Sequence, residues 1–478
     1  MPAFLIQTLG CKLNQLESEA VTDAFIQKGF SECTAGNESA PDIIIINTCT
    51  VTSKADQKAR RVIRKALCDY PEAGVIVTGC YAQLNRTDIL KLDAEGRLFI
   101  VNKNDILTLP QHLNMGTETG DAGSSAVSRG AEIKDMLKSL RPQDDAQDHK
   151  NLFQFNPNRF SRHTRAYLKI QDGCDKNCTY CKIRLARGKS VSLKADEVLS
   201  RLRMLEKTHA EASLTGVNIS QYRDRGTGIG ELLKYLLDGT EKIRIRLSSL
   251  APESVDEKLA DVLSHPRIRP HFHLSVQSLS DKILNKMGRS YKSETVENAL
   301  PLLRRIKDDP FIACDIITGF PGETQEDFER TFKACKELDF AWIHVFPYSK
   351  RQGTPAFLFN DNVTDSEVIK RAQLLTELAK QGRGNYARRW LGKEVEVLIE
   401  SGNKNGGYAG INQVNLINKT GQDCFFGTSE NYLKVLIKTD GTELNAGTAL
   451  RCKLKEVHNS GDFYFAVQAE CQKNEYTG

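Results

Sequence analysis

The sequence lacks any apolar stretch long enough to cross a membrane, since its longest such run, residues 43–46, has only the length of a strand. It also lacks a basic and then apolar leader, because a strand-like segment follows Met1-Pro2 directly. A large charge excess is missing too: the net charge of +5 permits a nucleic-acid partner without requiring one. These absences predict a cytoplasmic protein with no membrane partner and no DNA partner.

Cysteine, in contrast, is abundant, with 13 residues in a chain of 478. In a reducing compartment this number argues against a disulfide framework and favours metal sites. The length exceeds what one hydrophobic core supports, so two or three domains are expected. An apolar fraction of 40% and a charged fraction of 27% are typical of a globular protein.

Three short apolar runs near the start predict the parallel strands of a first domain. They cover residues 4–10, 43–47 and 75–79, and each ends in small or polar residues. Apolar faces at helical spacing, at 16–25 and 55–67, predict helices between them. This spacing is that of a βαβ sheet, which predicts an α/β domain over residues 1–115.

The rest of the chain divides into three further segments. Residues 116–152 are rich in Gly, Ser, Thr, Asp and Gln, which indicates a polar linker or insertion. Residues 160–390 alternate six strand patterns with helical ones, which predicts a full or partial (β/α)6 barrel. Residues 391–471 show short alternating strands between glycines, which predicts a small all-β barrel. The predicted strands of the second segment are 166–171, 212–217, 243–250, 272–277, 312–319 and 342–347.

Three closely spaced cysteines follow the first strand of the predicted barrel. Cys174, Cys178 and Cys181 lie in GCDKNCTYC, at the strand end where barrel active sites form. A structural zinc site would need a fourth Cys or His nearby, and residues 182–188 supply none. A four-iron cluster held by three thiolates instead leaves one iron open to another ligand.

A second trio comes from the first domain, where Cys11, Cys49 and Cys80 each follow one predicted strand. The carboxyl ends of neighbouring parallel strands meet at one edge of the sheet, so three distant thiols can converge there. Buried cysteine is also a common small apolar residue, which is the alternative for this trio. We expect that state for the other seven cysteines: Cys33, Cys68, Cys314, Cys335, Cys424, Cys452 and Cys471.

These motifs resemble those of known proteins. The spacing Cys-x3-Cys-x2-Cys after the first strand of a six-unit barrel resembles the radical S-adenosylmethionine superfamily. The segments TLGCKLNQLESE at 8–19, NTCTVT at 47–52 and TGCYAQ at 78–83 resemble the N-terminal domain of the methylthiotransferases. The all-β tail resembles their TRAM domain.

The resemblance implies an enzyme that adds a methylthio group to tRNA. It implies two [4Fe-4S] clusters, one on each cysteine trio, with S-adenosylmethionine on the open iron of one and a sulfur on that of the other. An electron-donor protein such as a flavodoxin is the implied partner beside tRNA. No catalytic side chain is expected beyond the cluster ligands.

The amino-acid sequences of two segments resemble those of one branch of this family. Residues 10–14 and HVFPYSKRQGTPA at 344–356 resemble the branch acting on N6-threonylcarbamoyladenosine at tRNA position 37. Alternatives are isopentenyladenosine in tRNA, an aspartate of ribosomal protein S12, or a non-enzymatic zinc- and RNA-binding protein.

Further positions match the family around adenosylmethionine. Tyr180 matches the residue beside the adenine, and Arg289 or Arg187 could pair with a carboxylate. Two departures, Arg184 in place of Pro and Leu279 in place of Gly, leave the pocket shape open. The expected cofactor-binding residues are Tyr180, Thr215, Gly216, Asn218, Ser249, Gln277, Arg289, Gly319 and Pro347.

Two basic segments are candidates for contact with tRNA phosphates. A solvated charged surface is the alternative for both. The all-β tail carries no such excess, so any tRNA contact there would depend on shape or stacking. The first segment follows Cys49 and holds Lys54, Lys58, Arg60, Arg61, Arg64 and Lys65, and the second, before the barrel, holds Arg159, Arg162, Arg165 and Lys169.

Overall fold

The structure is a computed structural model that describes residues 1–33, 40–103, 105–113, 135–137, 152–157, 160, 164–402, 424–438, 444–459 and 465–471. The predicted linker at 116–152 therefore lies almost entirely outside the described residues. Among these, no helix is long and apolar enough to span a membrane.

The strands are β1 Ala3–Thr8, β2 Ser31–Glu32, β3 Ile43–Thr48, β4 Gly74–Gly79, β5 Leu98–Ile100, β6 Ala166–Lys169, β7 Gln171–Asp172, β8 Val191–Ser192, β9 Glu211–Thr215, β10 Arg244–Leu247, β11 Ser249–Leu250, β12 His271–Gln277, β13 Phe311–Thr318, β14 Trp342–Pro347, β15 Glu394–Gly402, β16 Cys424–Ser429, β17 Lys434–Lys438, β18 Ala449–Asn459 and β19 Phe465–Cys471. The α-helices are α1 Lys12–Gln27, α2 Ser53–Asp69, α3 Cys80–Leu84, α4 Arg86–Leu90, α5 Leu109–His112, α6 Ile183–Arg187, α7 Ala195–Glu206, α8 Ile229–Gly239, α9 Glu257–Leu263, α10 Asp281–Lys286, α11 Ser293–Ile306, α12 Gln325–Glu337 and α13 Asp365–Arg389.

The first sheet is parallel throughout, in the order β2-β1-β3-β4-β5. Its central strand β3 is buried on both faces: Ile43 and Ile45 pack into one apolar cluster, and Ile44 and Ile46 into the other. All four consecutive isoleucines are therefore buried, as in parallel strands that helices cover on both faces. The predicted α/β architecture is confirmed.

The second sheet is an arc of parallel strands. β6, β9 and β10 form one part, and β11 to β14 form the other, with the chain passing from β10 into β11 through Ser248 alone. In the described part of the chain the end strands β6 and β14 do not pair with each other. The barrel is therefore partial, as predicted, and its open side faces the first domain, where α1 contacts β6.

The tail forms a closed barrel of five strands in the order β15-β16-β17-β19-β18. Its apolar core is continuous with the amino end of β13 and the last turn of α13, through Phe311 and Tyr386. The 25-residue α13 was not anticipated from the sequence.

Buried ion pairs fix the tail to the (β/α)6 barrel. Glu211 on β9 accepts hydrogen bonds from Arg246 Nε at 2.7 Å and from Arg269 Nε at 2.7 Å. Arg269 also pairs with Glu396 of the tail, and Arg165 pairs with Glu400. The expectation that Arg165 meets tRNA phosphate is wrong, because its guanidinium is used in this interface.

The cysteines outside the two trios follow the expectation only in part. Cys33, Cys314 and Cys335 are buried thiols, whereas Cys68 is exposed on α2. Cys452 is disulfide-bonded, so it is not a free buried thiol either. The side chains of Cys424 and Cys471 lie outside the described residues.

Candidate active site

The first trio converges at one edge of the first sheet. Cys49 and Cys80 directly follow β3 and β4, and Cys11 follows β1 after two residues; the three strands are neighbours in the sheet. Burial raises the pKa of Cys49 to about 11, and the charges of Cys80 and Cys11 nearby act in the same direction. The three thiols are therefore neighbours at this edge of the sheet.

Two glycines allow this approach. Gly10 has a φ of +125°, and a Cβ placed on it would lie 2.6 Å from the Cβ of Cys49. Gly79 has a φ of +95°, and a Cβ there would lie 2.3 Å from the carbonyl oxygen of Thr48. Any side chain at either position would push the cysteine segments apart.

A buried amide network fixes the same segments. Asn14 Nδ2 donates to Asn47 Oδ1 at 2.9 Å and to the carbonyl oxygen of Thr48 at 3.1 Å. The Cys11 thiol donates to Asn14 Oδ1 at 3.2 Å. The loops after β1 and β3 are thus joined by hydrogen bonds, one of which is donated by the Cys11 thiol.

Cations surround the third thiol. Lys103 Nζ lies 3.4 Å from Cys80 Sγ and 3.3 Å from Glu17 Oε1. Burial alone would raise the pKa of Cys80, but Arg187 and Lys103 beside it bring the pKa below its usual value. Such surroundings favour a thiolate, which is the form that binds metal. Lys103 was missed from the sequence because no motif contains it.

One buried ion network, here called the Arg187 network, joins the first domain to the barrel beside the first trio. Arg187 Nη1 lies 3.0 Å from Glu17 Oε1 and 3.1 Å from Asp172 Oδ2, and all three side chains are at most 3% exposed. Lys103 and Lys169 complete it, the latter paired with Asp172. The expectations that Lys169 contacts tRNA phosphate and that Arg187 pairs with a carboxylate of the cofactor are therefore wrong. Arg159 and Arg162 lie outside the described residues.

The second trio lies at the mouth of the barrel in a cavity of about 730 Å³. Burial raises the pKa of Cys181 to about 12, and Cys178 and Cys174 nearby act in the same direction. Arg289 Nη1 donates to Cys178 Sγ at 3.5 Å. Beside the trio, the cavity is lined by five of the expected cofactor residues: Tyr180, Asn218, Ser249, Gln277 and Arg289.

The remaining expected cofactor residues lie outside the walls of this cavity. Thr215 is buried at the end of β9, and a Cβ on Gly216 would lie 2.8 Å from Gln171 Oε1. The amide of Gly319 donates to Glu323 Oε2 at 2.7 Å, and Pro347 ends β14. Their cofactor roles stay predictions.

Other wall residues were not anticipated. Lys176 and Glu253 form an ion pair of 2.9 Å across the cavity rim, and Ser275 lies on the wall formed by β12. They come from separate segments of the chain, so no local motif identifies them. Of the two departures from the family pattern, Arg184 lines the cavity, whereas Leu279 is buried outside it.

Both trios have a donor set that fits an iron–sulfur cluster with three protein ligands. Each offers three thiols, and N–H donors point at sulfur, as in the hydrogen bond from the Ile183 amide to Cys181 Sγ at 3.4 Å. Among the described residues, no three His, Cys, Asp or Glu side chains are arranged to hold a single metal ion. A cluster distributes its ligands over several irons and does not need such close convergence.

The first domain and the barrel also meet at Arg351, which lies in the segment 344–356. Its Nη1 is 2.8 Å from Asp56 Oδ2, and its Nη2 donates to the Thr50 carbonyl oxygen at 2.9 Å. Ser53 at the start of α2 donates its amide to Ser349 Oγ at 2.9 Å. This segment therefore fixes the loop that carries Cys49.

The basic face of α2 is exposed, with one exception. Arg60 is half-buried, and its Nη1 donates to the Tyr81 hydroxyl at 2.8 Å, so phosphate contact by Arg60 stays a prediction. The exposed cations of this face are Lys54, Lys58, Arg61, Arg64 and Lys65.

Comparisons with known proteins cover almost the whole chain. Residues 3–100 match the model described as Uncharacterized protein family UPF0004, and residues 168–335 match the Radical SAM superfamily. Threonylcarbamoyladenosine tRNA methylthiotransferase MtaB of Treponema pallidum is 37% identical over 95% of this chain and 98% of its own. The Bacillus subtilis protein of that name is 31% identical, over 98% of both chains. The tRNA-2-methylthio-N(6)-dimethylallyladenosine synthase of Bartonella henselae is 30% identical over 84% of this chain and 87% of its own.

Proposed function

The chain belongs to the radical S-adenosylmethionine methylthiotransferase family, and on this basis we propose that it adds a methylthio group to C2 of N6-threonylcarbamoyladenosine at tRNA position 37. The observation that carries the proposal is similarity over nearly the full length to relatives named for this substrate. The convergence of two cysteine trios supports the chemistry, and the zinc-binding alternative is not favoured.

The cofactors are two [4Fe-4S] clusters and S-adenosylmethionine. When bound, they supply open irons, an electron and radical chemistry that side chains cannot provide. We propose that Cys174, Cys178 and Cys181 hold one cluster. By the same proposal, the other cluster is held by Cys11, Cys49 and Cys80.

The chain's own residues bind and orient S-adenosylmethionine and keep water out of the cavity. Arg289 carries a fixed positive charge into the cavity, and its Nη2 donates to the carbonyl oxygen of Ser275 at 2.6 Å. This places it to pair with the carboxylate of adenosylmethionine. Burial raises the pKa of Tyr180 well above its usual value, so its ring stays neutral against Phe320, 6.3 Å away between centroids.

The remaining parts of the proposal concern partners and boundaries. An electron-donor protein such as a flavodoxin is needed, because the reductive cleavage of S-adenosylmethionine consumes an electron that this chain does not itself produce. Cytoplasmic location follows from a tRNA substrate and reduced cysteines. The domain limits proposed are 1–115, 116–152, 160–390 and 391–471.

Analysis of tRNA nucleosides tests the substrate. In a host whose own enzymes of this family are deleted, expression of the chain should restore 2-methylthio-N6-threonylcarbamoyladenosine, measured by mass spectrometry. The variant Cys178→Ala serves as the inactive control. Restoration of the isopentenyl derivative alone, or of a methylthio group on ribosomal protein S12 alone, would contradict the proposal.

The exposed face of α2 should contribute to tRNA binding through phosphate contacts. Replacing Lys54, Lys58, Arg61 and Arg64 by glutamine removes four charges, and the slope of log affinity against log salt should decrease by about 3. The control replaces four cations on the outer helices, Lys234, Lys258, Arg330 and Lys333, with the same change in net charge. Filter-binding measurements with unmodified tRNA at several salt concentrations check this, and equal effects of the two variants would exclude the α2 face.

A further inference from the structure

Below the cavity, the interior of the (β/α)6 barrel is lined by polar side chains. Along β12, Phe272, Leu274 and Val276 pack outward into the apolar core, so the alternate residues face inward. Ser275 and Gln277 lie on the cavity wall. The two inward residues that precede them, His271 and His273, extend this wall towards the tail.

Hydrogen bonds orient the middle of this space. His273 Nε2 is 2.9 Å from Asp315 Oδ1, and its Nδ1 is 3.2 Å from Ser249 Oγ. Trp342 Nε1 donates to His344 Nδ1 at 3.2 Å. Burial lowers the pKa of His344 to about 4, so at neutral pH its Nε2 carries the proton as a free donor.

The floor of the space comes from the tail. The Tyr432 ring stacks on His271 with centroids 3.9 Å apart, and the guanidinium groups of Arg165 and Arg246 lie 5.8 and 5.2 Å from its centre. Two nitrogens here, His271 Nδ1 and Arg246 Nη1, are buried without a hydrogen-bond partner in the described structure. Both side chains are at most 4% exposed, so this floor has unused hydrogen-bonding capacity.

A lysine beside the first cysteine trio reaches the same space. Lys12 directly follows Cys11 and begins α1, the helix that packs against β6 of the barrel. Its charge lowers the pKa of Tyr432 to about 8 against the opposing effect of burial, and burial lowers the pKa of Lys12 itself. Its charge also acts on His271 and His344. Within the described residues, Lys12 forms no hydrogen bond and no ion pair.

We propose that these residues form a chamber that binds the threonylcarbamoyl arm of the target adenosine, with Lys12 pairing its carboxylate. The inference rests on the proposed function. The arm carries a carboxylate, a hydroxyl and ureido groups, which match an unpaired cation and several oriented polar side chains. The chamber is lined by Lys12, His271, His273, Asp315, His344 and Tyr432.

The same chamber selects against an isopentenyl arm. An apolar arm would remove water from Lys12 and Asp315 without replacing its hydrogen bonds, and sites built to hydrogen-bond a substrate reject such analogues strongly. The chamber thus distinguishes the two tRNA substrates by polarity rather than by size.

Binding to synthetic RNA tests the role of Lys12. The full-length, anaerobically purified protein is titrated with anticodon stem-loops that carry threonylcarbamoyladenosine, its methyl ester or isopentenyladenosine at position 37. The wild type should prefer the free acid to the ester by about tenfold or more, the usual effect of one charge-assisted hydrogen bond. Lys12→Met should abolish the preference, and Lys12→Arg should retain most of it. Lys28→Met, on the exposed end of α1, is the matched control and should behave as wild type.

The outcomes separate this inference from the function on which it rests. A wild type that prefers the isopentenyl stem-loop would overturn the proposed function. A wild type that prefers the free acid, with the preference intact in Lys12→Met, would overturn the chamber alone. Iron content is measured on every variant, since Lys12 adjoins Cys11. If Lys12→Met loses iron, His344→Phe decides, because it should also weaken binding of the free acid severalfold, and unchanged binding would refute the chamber.

Discussion

Cys49→Ala is expected to lose half of the iron, about four of about eight atoms per chain, and all methylthiolation of tRNA. The thiol lies between Cys11 and Cys80, and its loss leaves only two ligands at that edge of the first sheet. Cys178→Ala should show the reciprocal loss in the barrel. The measurements are iron per chain and visible absorbance after anaerobic purification.

The exposed Cys68 provides the control, because Cys68→Ala removes a thiol without disturbing either trio. It should keep both clusters and full activity. Loss of all iron from either single variant would contradict two separate sites. A colourless wild-type protein with stoichiometric zinc would refute the cluster assignment altogether.

The second large effect is expected at the Arg187 network. Arg187→Met leaves the buried carboxylates of Glu17 and Asp172 without their shared partner, and breaking such a buried pair costs about 3–5 kcal/mol of unfolding free energy. Thermal unfolding of the anaerobic protein should shift strongly downward. Arg305→Met, which breaks an exposed pair with Glu257, should leave the midpoint unchanged.

The stability of the protein at acid pH should also depend on the Arg187 network. Burial would raise the pKa of Asp172, but Arg187 and Lys169 outweigh it and hold the pKa below its usual value. Stability from this lowered pKa is present at neutral pH and is lost as the pH falls through the folded-state value. In Arg187→Met the folded-state pKa of Asp172 moves back towards or above its unfolded value, so acidification should remove less stability than in the wild type. Identical acid profiles of the two proteins would show that the arginine does not stabilise the carboxylate.

The sequence predicted much of the fold because its signals are local. The isoleucines at 43–46 predicted a buried strand of the first sheet. The cysteines that follow three strands predicted which edge of that sheet carries the site. The six strands of the barrel follow from apolar runs whose limits differ from the observed ones by a few residues. The closed tail barrel follows from alternation between glycines.

What the sequence did not predict depends on contacts between distant segments. Arg165 and Lys169 resemble a phosphate-binding stretch, yet each finds a buried carboxylate elsewhere in the fold. Lys103 meets Cys80 only because the chain folds back across the sheet edge. A charged residue is assigned correctly only when its partner is known, and these partners lie in other elements.

The tail's contribution of Tyr432 to the barrel floor limits how such proteins can be recombined. A grafted tail without counterparts of Tyr432, Glu396 and Glu400 would remove the ring stacked on His271 and the carboxylates paired with Arg269 and Arg165. The chimera would then carry unpaired buried cations and an altered substrate chamber. A functional graft would therefore have to transfer Arg165, Arg246 and Arg269 together with the tail.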